Sequence, residues 1–285
     1  MQTKTWFITG VSSGFGRAIA DAALGRGDRV FGTVRKEEDS IAFAKSAPDR
    51  ATGLILDVRD DEAVRATVDQ VAGQGGIDVL VNNAGYCLSG AVEEASSAEI
   101  RAQMDVNFFG AVSLLQAVLP HMRARKTGHI FNITSVSGLA SWMGIAFYCA
   151  SKHALEAVGK ALAQEVSDLG IKVTNIEPGA LRTGFNRAGA LTRAQQTIDD
   201  YKPTAGMAWD ILSQSAGKEA GDPALAAQAL LAALDAEQPP MHLMLGADAV
   251  FYADREQAAR MEEAARWMPV TMAVNHADQP PTLGD

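Results

Sequence analysis

The stretch "TWFITGVSSGFG", residues 5–16, changes character at its midpoint. Residues 5–9 are apolar or β-branched, the composition of a short strand buried on both faces. Glycines then fall at 10, 14 and 16, and an amphipathic helical pattern runs from about Phe15 to Arg26. Strand, glycine-rich turn and helix open a βαβ unit. Such a turn lets the backbone approach a pyrophosphate, whose charge sits at the helix N-terminus. A turn needed only for tight strand–helix packing would look the same, so the rest of the chain must decide.

Outward from that stretch the alternation continues. Apolar strands are expected at 29–34, 52–58, 77–83, 128–134 and 171–178. Between them lie a charged helix, a helix with Val64, Val68 and Val71 inward, a long helix over about 97–123, and another over 147–169. Short strands separated by amphipathic helices predict an α/β fold: a doubly wound parallel sheet with helices on both faces, in one domain over residues 1–270. Residues 184–222 show no clean period and read as a mobile loop-and-helix lid over a substrate site. Asp222 and Pro223 then restart a helix as N-cap and first residue. A last strand is expected at 241–246 and a last helix at 248–266. The tail, 271–285, has no core signal and is expected to be disordered.

Composition narrows the function. The 285 residues are 47% hydrophobic and 21% charged, as in an ordinary globular chain. Thirty-four acids against 25 Lys plus Arg give a net charge of −9, without a basic cluster, which argues against a nucleic-acid partner. Cys87 and Cys149 have neither CxxC spacing nor metal-ligand neighbours, and read as two reduced thiols in a cytoplasmic protein. The first residues lack a signal-peptide run. Residues 127–151 contain no Asp, Glu, Lys or Arg, but their Asn132, Thr134, serines and glycines argue against a membrane span.

"FYCASKHALEAVGKALAQEV" (147–166) carries one oddity. Leu155, Val158, Leu162, Val166 and Leu169 share an apolar stripe at 100° per residue. Tyr148 and Lys152 lie on that stripe, whereas Glu156, Lys160, Gln164 and Asp168 are expected to point away. A lysine aimed at a buried surface needs a partner. Cys149, about 100° round from Tyr148, reads as packing, and His129 and His153 as structural or solvent-facing. "NNAG" (82–85) and Asp57 end strands at the sheet edge where open α/β proteins bind ligands, although turns and caps account for each alone.

Taken in order, the Thr9–Gly16 glycine pattern, Asp57, Asn82–Gly85, Asn107, Ser135, Tyr148-x-x-x-Lys152, Pro178-Gly179 and Thr183 resemble the short-chain dehydrogenase/reductase family over about residues 5–250. The resemblance implies a Rossmann-type fold and catalysis by Asn107, Ser135, Tyr148 and Lys152. In that reading Tyr148 exchanges a proton with the substrate oxygen, and the Lys152 charge favours its phenolate. Lys152 would also hold the nicotinamide ribose, Ser135 the substrate oxygen (Ser137 competes), and Asn107 a water. The implied cofactor contacts are Gly10, Ser12, Ser13, Gly14, Phe15, Gly16, Asp57, Val58, Asn83, Ala84, Gly85, Pro178, Gly179 and Thr183, with Tyr148 and Lys152.

Cofactor choice is read at the end of the second strand. NAD-preferring folds place an acid there; this chain has Val34, then Arg35 and Lys36, which favours NADP(H) over NAD(H). The competing reading pairs Arg35 and Lys36 with Glu38 or Asp39 as a solvated helix start. Leu88, Leu139, Trp142, Phe147, Phe185, Met207 and Trp209 suggest an apolar or aromatic carbonyl or alcohol substrate. No metal is implied. A homodimer or homotetramer is expected through Ala111, Val112, Leu115, Val118, Ala157 and Ala161 on the two long helices. A non-catalytic dinucleotide sensor or scaffold on the same fold is the rival from another class, and a dehydratase or epimerase the rival among enzymes.

Overall fold

Seven parallel strands lie in the order β3-β2-β1-β4-β6-β7-β9. They are β1 (Thr5–Thr9), β2 (Arg29–Val34), β3 (Ala51–Ile55), β4 (Val79–Asn82), β6 (Gly128–Ile133), β7 (Ile171–Pro178) and β9 (His242–Leu245). Two short strands, β5 (Cys87–Ser89) and β8 (Leu191–Arg193), pair in a separate ribbon. The helices are α1 (Gly14–Gly25), α2 (Glu37–Ser46), α3 (Asp61–Ala72), α4 (Ser97–Met104), α5 (Gly110–Arg125), α6 (Ala146–Glu165), α7 (Met207–Ser215), α8 (Pro223–Asp235) and α9 (Ala247–Met272). The computed structural model describes residues 3–186 and 189–274, and most of the tail expected to be disordered lies outside them.

Alternation along β1 shows why the strands read as unbroken apolar runs. Trp6 and Ile8 face the core shared with α1 and α8. Phe7 faces the opposite core, with Val64, Val68 and Val71 of α3 and Leu114, Leu115 and Val118 of α5. Both faces are covered, so no position needs to be polar. The indole of Trp6 donates to Asp28 Oδ2 at 2.9 Å, satisfying its one polar atom. α8 begins as expected, with the Asp222 carboxylate accepting from Ala224 N at 2.7 Å.

Several expectations are corrected. The third strand stops at Ile55 rather than 58: Leu56 N makes the last bond to Val34 O, and the chain turns where Asp60 N bonds Asp57 O. The helix expected over 97–123 is interrupted by a π-helical turn, Asp105–Phe109. By length and composition the Ser97–Arg125 run could cross a bilayer, but half of its apolar window is buried inside the protein, as in a core helix. Within residues 184–222, expected as loop and helix, β8 adds a short strand paired with β5. The last helix continues to Met272. Glu156 does not point away; it is buried beneath α6, some 80° from the Tyr148 direction and facing β7 and β9. Ala111, Leu115 and Val118 are buried within the single chain, and of these only Leu115 lines the groove between α5 and α6, with Val112, Leu119, Val158 and Ala161.

An amide ladder that the sequence did not announce locks α6 to the sheet. Asn82 Nδ2 donates to Asn132 Oδ1 (3.0 Å), Asn132 Nδ2 to Asn175 Oδ1 (3.2 Å), and Asn175 Nδ2 to the Glu156 carbonyl (3.0 Å).

His129 is buried, stacked on Phe131 and bonded to Thr174 Oγ1 at 2.9 Å. Burial pushes its pKa down to about 3, with Lys172 and Lys4 adding to the effect. The folded pKa lies below the unfolded one, so this stability is fully present above about pH 6.5 and is lost as pH falls toward 3. Unfolding free energy is expected to drop by up to about 1.4 kcal/mol per pH unit between pH 6 and 4 from this group alone. Urea unfolding of His129→Gln, whose amide still reaches Thr174, should show a shallower acid slope; an unchanged slope would refute the assignment.

Candidate active site

β1 and β4 are neighbours, yet the chain leaves β1 toward β2 and leaves β4 toward β6. This divergence opens a crevice at the strand ends, the position at which open α/β sheets take ligands. The glycine loop follows β1 and "NNAG" follows β4, so both motifs meet there. Thr9 Oγ1 accepts from the backbone N–H groups of Asn83 and Ala84, each at 2.9 Å. Asn83 Nδ2 donates to the Thr9 carbonyl at 2.8 Å and to that of Gly10 at 3.2 Å. Its side chain is therefore a brace beneath the loop.

The loop matches what a dinucleotide pyrophosphate requires. Gly14 has φ +65°, a conformation that favours glycine. Ser13, the N-cap of α1, is extended and makes no side-chain cap bond, so the first amide groups of α1 are left for another acceptor. Ser12 and Ser13 are exposed, while Phe15 turns its ring into the core and offers only its backbone. A Cβ at Gly16 would overlap Asn83 Nδ2 and the Gly10 carbonyl. Gly16→Ala is accordingly expected to destabilise the fold by about 1–3 kcal/mol, read as a lower urea midpoint. An unchanged midpoint would show that the loop yields freely.

Beyond β6 the four expected catalytic side chains lie close together. Tyr148 and Lys152, one turn apart on α6, are both buried. Lys152 Nζ donates to the Ile133 carbonyl at 2.7 Å and lies 5.7 Å from the Tyr148 ring centroid. Ser135 Oγ accepts from Ser137 N at 3.0 Å and donates to the Pro178 carbonyl at 3.4 Å, close enough to Tyr148 to lower its pKa. Asn107 sits inside the π-helical turn, a feature frequent at functional sites. Its amide donates to the Tyr86 carbonyl (2.9 Å) and Ser151 Oγ (3.0 Å), and Oδ1 accepts from Tyr86 N (3.0 Å). A Cβ at Gly85 would come within 3.2 Å of Asn107 Oδ1 and 3.7 Å of Lys152 Nζ, so this glycine keeps the space between them clear.

Burial pushes the Tyr148 phenol up, the buried Cys87 adds to this, and Ser135 only partly opposes it. Lys152 is lowered to about 8, again mainly by burial.

On the adenosine side, the Asp57 carboxylate is engaged by Arg59, whose Nε lies 3.0 Å from Oδ1, and this pairing holds the Asp57 pKa down. Val58 packs against Gly110. Arg35 is exposed with no ion pair among the described residues, and its charge reaches Asp57. Lys36, not Arg35, pairs with Glu38 at 3.3 Å. Val34 is buried with Val11 and Phe43, so its side chain faces the core and not the crevice. Pro178 closes β7, Gly179 leaves no room for a Cβ beside Asp248, and Thr183 packs against Gly14.

An apolar cluster covers the tyrosine. Cys87, Ile145, Cys149 and Leu191 surround Tyr148, with Trp142, Phe185, Trp209 and Leu212 against them. Leu88 is buried but is not part of this cluster, and Met207 is exposed. Cys87 falls in the 86–92 stretch expected to line the pocket, though by itself it reads only as a reduced thiol. Its position depends on the β5–β8 ribbon, which local sequence does not signal.

The sheet, the glycine loop and the crevice define a dinucleotide-binding α/β protein. The short chain dehydrogenase family model matches residues 4–193, and the chain belongs to the short-chain dehydrogenase/reductase family. An oxidoreductase of Botryotinia fuckeliana is 37% identical over 273 residues, 95% of this chain and 99% of that protein. A 3-ketodihydrosphingosine reductase of Bacteroides thetaiotaomicron is 40% identical over 70% of this chain and 72% of that protein. A short-chain dehydrogenase from Streptomyces avermitilis has a crystal structure that is 40% identical, with TM-score 0.89, covering 96% of this chain and 100% of that one. Structural relatives hold NADP in several cases and NAD in one. The chain is an NAD(P)-dependent oxidoreductase.

Proposed function

We propose that this protein is an NADP(H)-dependent reductase of a ketone or aldehyde, or the corresponding alcohol dehydrogenase, with Tyr148 as proton donor and acceptor. The observation that carries the reading is the buried Tyr148 hydroxyl beside Ser135 and one helical turn from Lys152. The nicotinamide cofactor, when bound, supplies or takes the hydride. The glycine loop and the open N-terminus of α1 would hold its pyrophosphate, Arg35 and Ser12 its 2′-phosphate, and Thr183 its carboxamide.

The chain's own groups account for the proton. Burial keeps the Tyr148 phenol protonated at neutral pH, ready to donate to a developing alkoxide, while Ser135 Oγ orients that oxygen. Lys152, anchored by the Ile133 carbonyl, would hold the ribose hydroxyls of the bound cofactor. Asn107 has both amide hydrogens committed, which leaves one lone pair of Oδ1 beside Lys152 for a water.

The wall of Trp142, Phe185, Trp209, Leu212 and Ile145 favours a substrate that is apolar or aromatic next to its carbonyl. The Bacteroides relative is by its name a 3-ketodihydrosphingosine reductase, which adds ketones of that kind to the candidates. The test is a panel of aromatic, steroidal and long-chain ketones and alcohols, followed by NAD(P)H absorbance. Turnover confined to small charged carbonyls would refute the apolar reading.

Two unpaired buried thiols support a cytoplasmic location. The groove of Val112, Leu119, Val158 and Ala161 supports a homo-oligomer, dimer or tetramer, formed across α5 and α6. Ala161→Arg should shift sedimentation toward monomer at micromolar concentration. A wild type that sediments only as a single chain would contradict the assembly.

A further inference from the structure

Away from the crevice, α6, β7 and β9 bring together a charged cluster that the reaction does not use. Glu156 and Glu177 are 3% and 0% exposed, whereas the His242 side chain is 40% exposed. His242 Nδ1 lies 2.6 Å from Glu177 Oε1 and 3.1 Å from Glu156 Oε1, and all three donor atoms fall within 4.8 Å of one another. Three of the four carboxylate oxygens, Glu156 Oε1 and Oε2 and Glu177 Oε2, are buried without a hydrogen-bond partner. Among the described residues His242 alone forms ion pairs with either glutamate. Even a protonated imidazole leaves two buried carboxylates short of one positive charge, an arrangement that is costly until something neutralises it.

The scaffold around the cluster is rigid. Asn175 and Glu177 lie two residues apart on β7 and so share a face. The Asn175 amide holds the backbone of Glu156, and the β7–β9 register places His242 opposite Asn175. We propose that Glu156, Glu177 and His242 form a site for one divalent transition-metal cation of the zinc class. One imidazole nitrogen and two carboxylate oxygens supply three protein donors, and water completes the fourth position. The exposed edge of His242 gives a way in. Ligand bonds of about 2.0–2.2 Å require the donors to stand a little further apart than the present 2.6 and 3.1 Å. A small rotation of the half-exposed imidazole provides that space. Such a cation would fasten the last strand and α6 to β7, one turn beyond Lys152.

The alternative occupant is a proton shared between the two carboxyl groups. The test uses the full-length protein, stripped with chelator and titrated with zinc chloride by calorimetry at pH 7.5, alongside thermal unfolding with and without the metal. The expected result is one equivalent bound, a higher melting temperature, and affinity reduced at least about tenfold in Glu156→Gln and His242→Ala. His242→Ala alters a half-exposed side chain and keeps the test readable if Glu156→Gln folds poorly. With chelator present, a folded Glu156→Gln should melt no lower than wild type. Absence of binding or of a melting shift, or equal zinc affinity in wild type and both variants, overturns the proposal and leaves the shared proton as the neutralising group.

Discussion

Tyr148→Phe is expected to lower kcat for carbonyl reduction by at least about 10²–10⁴-fold, the range of a positioned acid–base group, while cofactor binding stays near wild type. The ring remains to pack against Phe185, 5.8 Å away between centroids, so only the hydroxyl is lost. Fluorescence titration with NADPH separates binding from turnover. Retention of more than a tenth of wild-type activity would remove Tyr148 from its role. The pH profile gives a second reading. The phenol is pushed up by burial, so it keeps its proton through neutrality and donation should not fail there. Lys152, lowered to about 8, loses its ammonium above that pH, and the KM for cofactor should rise on the alkaline side.

The sequence made visible whatever follows from local periodicity. β1, β2 and β7 begin and end where their apolar runs do, because each is flanked by a glycine, a proline or a charge. Val64, Val68 and Val71 are core because α3 is amphipathic in isolation. The misses depend on tertiary context. The π-helical turn at Asn107 reflects bonds to the Tyr86 backbone, 21 residues back, and nothing in "MDVNFFG" signals them. β5 and β8 are three residues each and exist only as a pair, too short to carry a pattern. Glu156 looked solvated because a glutamate near the edge of a helical stripe usually is. Only the fold shows Glu177 and His242 waiting opposite it. The candidate catalytic positions came from motif resemblance; their burial and the resulting rise at Tyr148 came from structure.

Cofactor selectivity should rest on Arg35. Wild type is expected to prefer NADPH, and Arg35→Ala to lower kcat/KM for NADPH by roughly 10–100-fold, the worth of about 1.5–3 kcal/mol from hydrogen bonds to a charged group, with little change for NADH. Three observations support that position. Arg35 follows β2 directly, lies near enough to influence Asp57, and has no ion pair among the described residues, so it is free to meet a 2′-phosphate. Lys36 is occupied by Glu38, and Arg59 by Asp57. Val34 is a poor site for the reciprocal change, since an aspartate in that core position would be buried without a partner and would test stability instead. Arg35→Asp keeps the substitution at the surface, adds repulsion toward the phosphate, and should move the preference further toward NADH than Arg35→Ala does. Comparing kcat/KM for both cofactors across the three proteins decides the matter. A wild type that already prefers NADH, or a ratio unmoved by either variant, would show that Arg35 belongs to the solvated start of α2 and selects nothing.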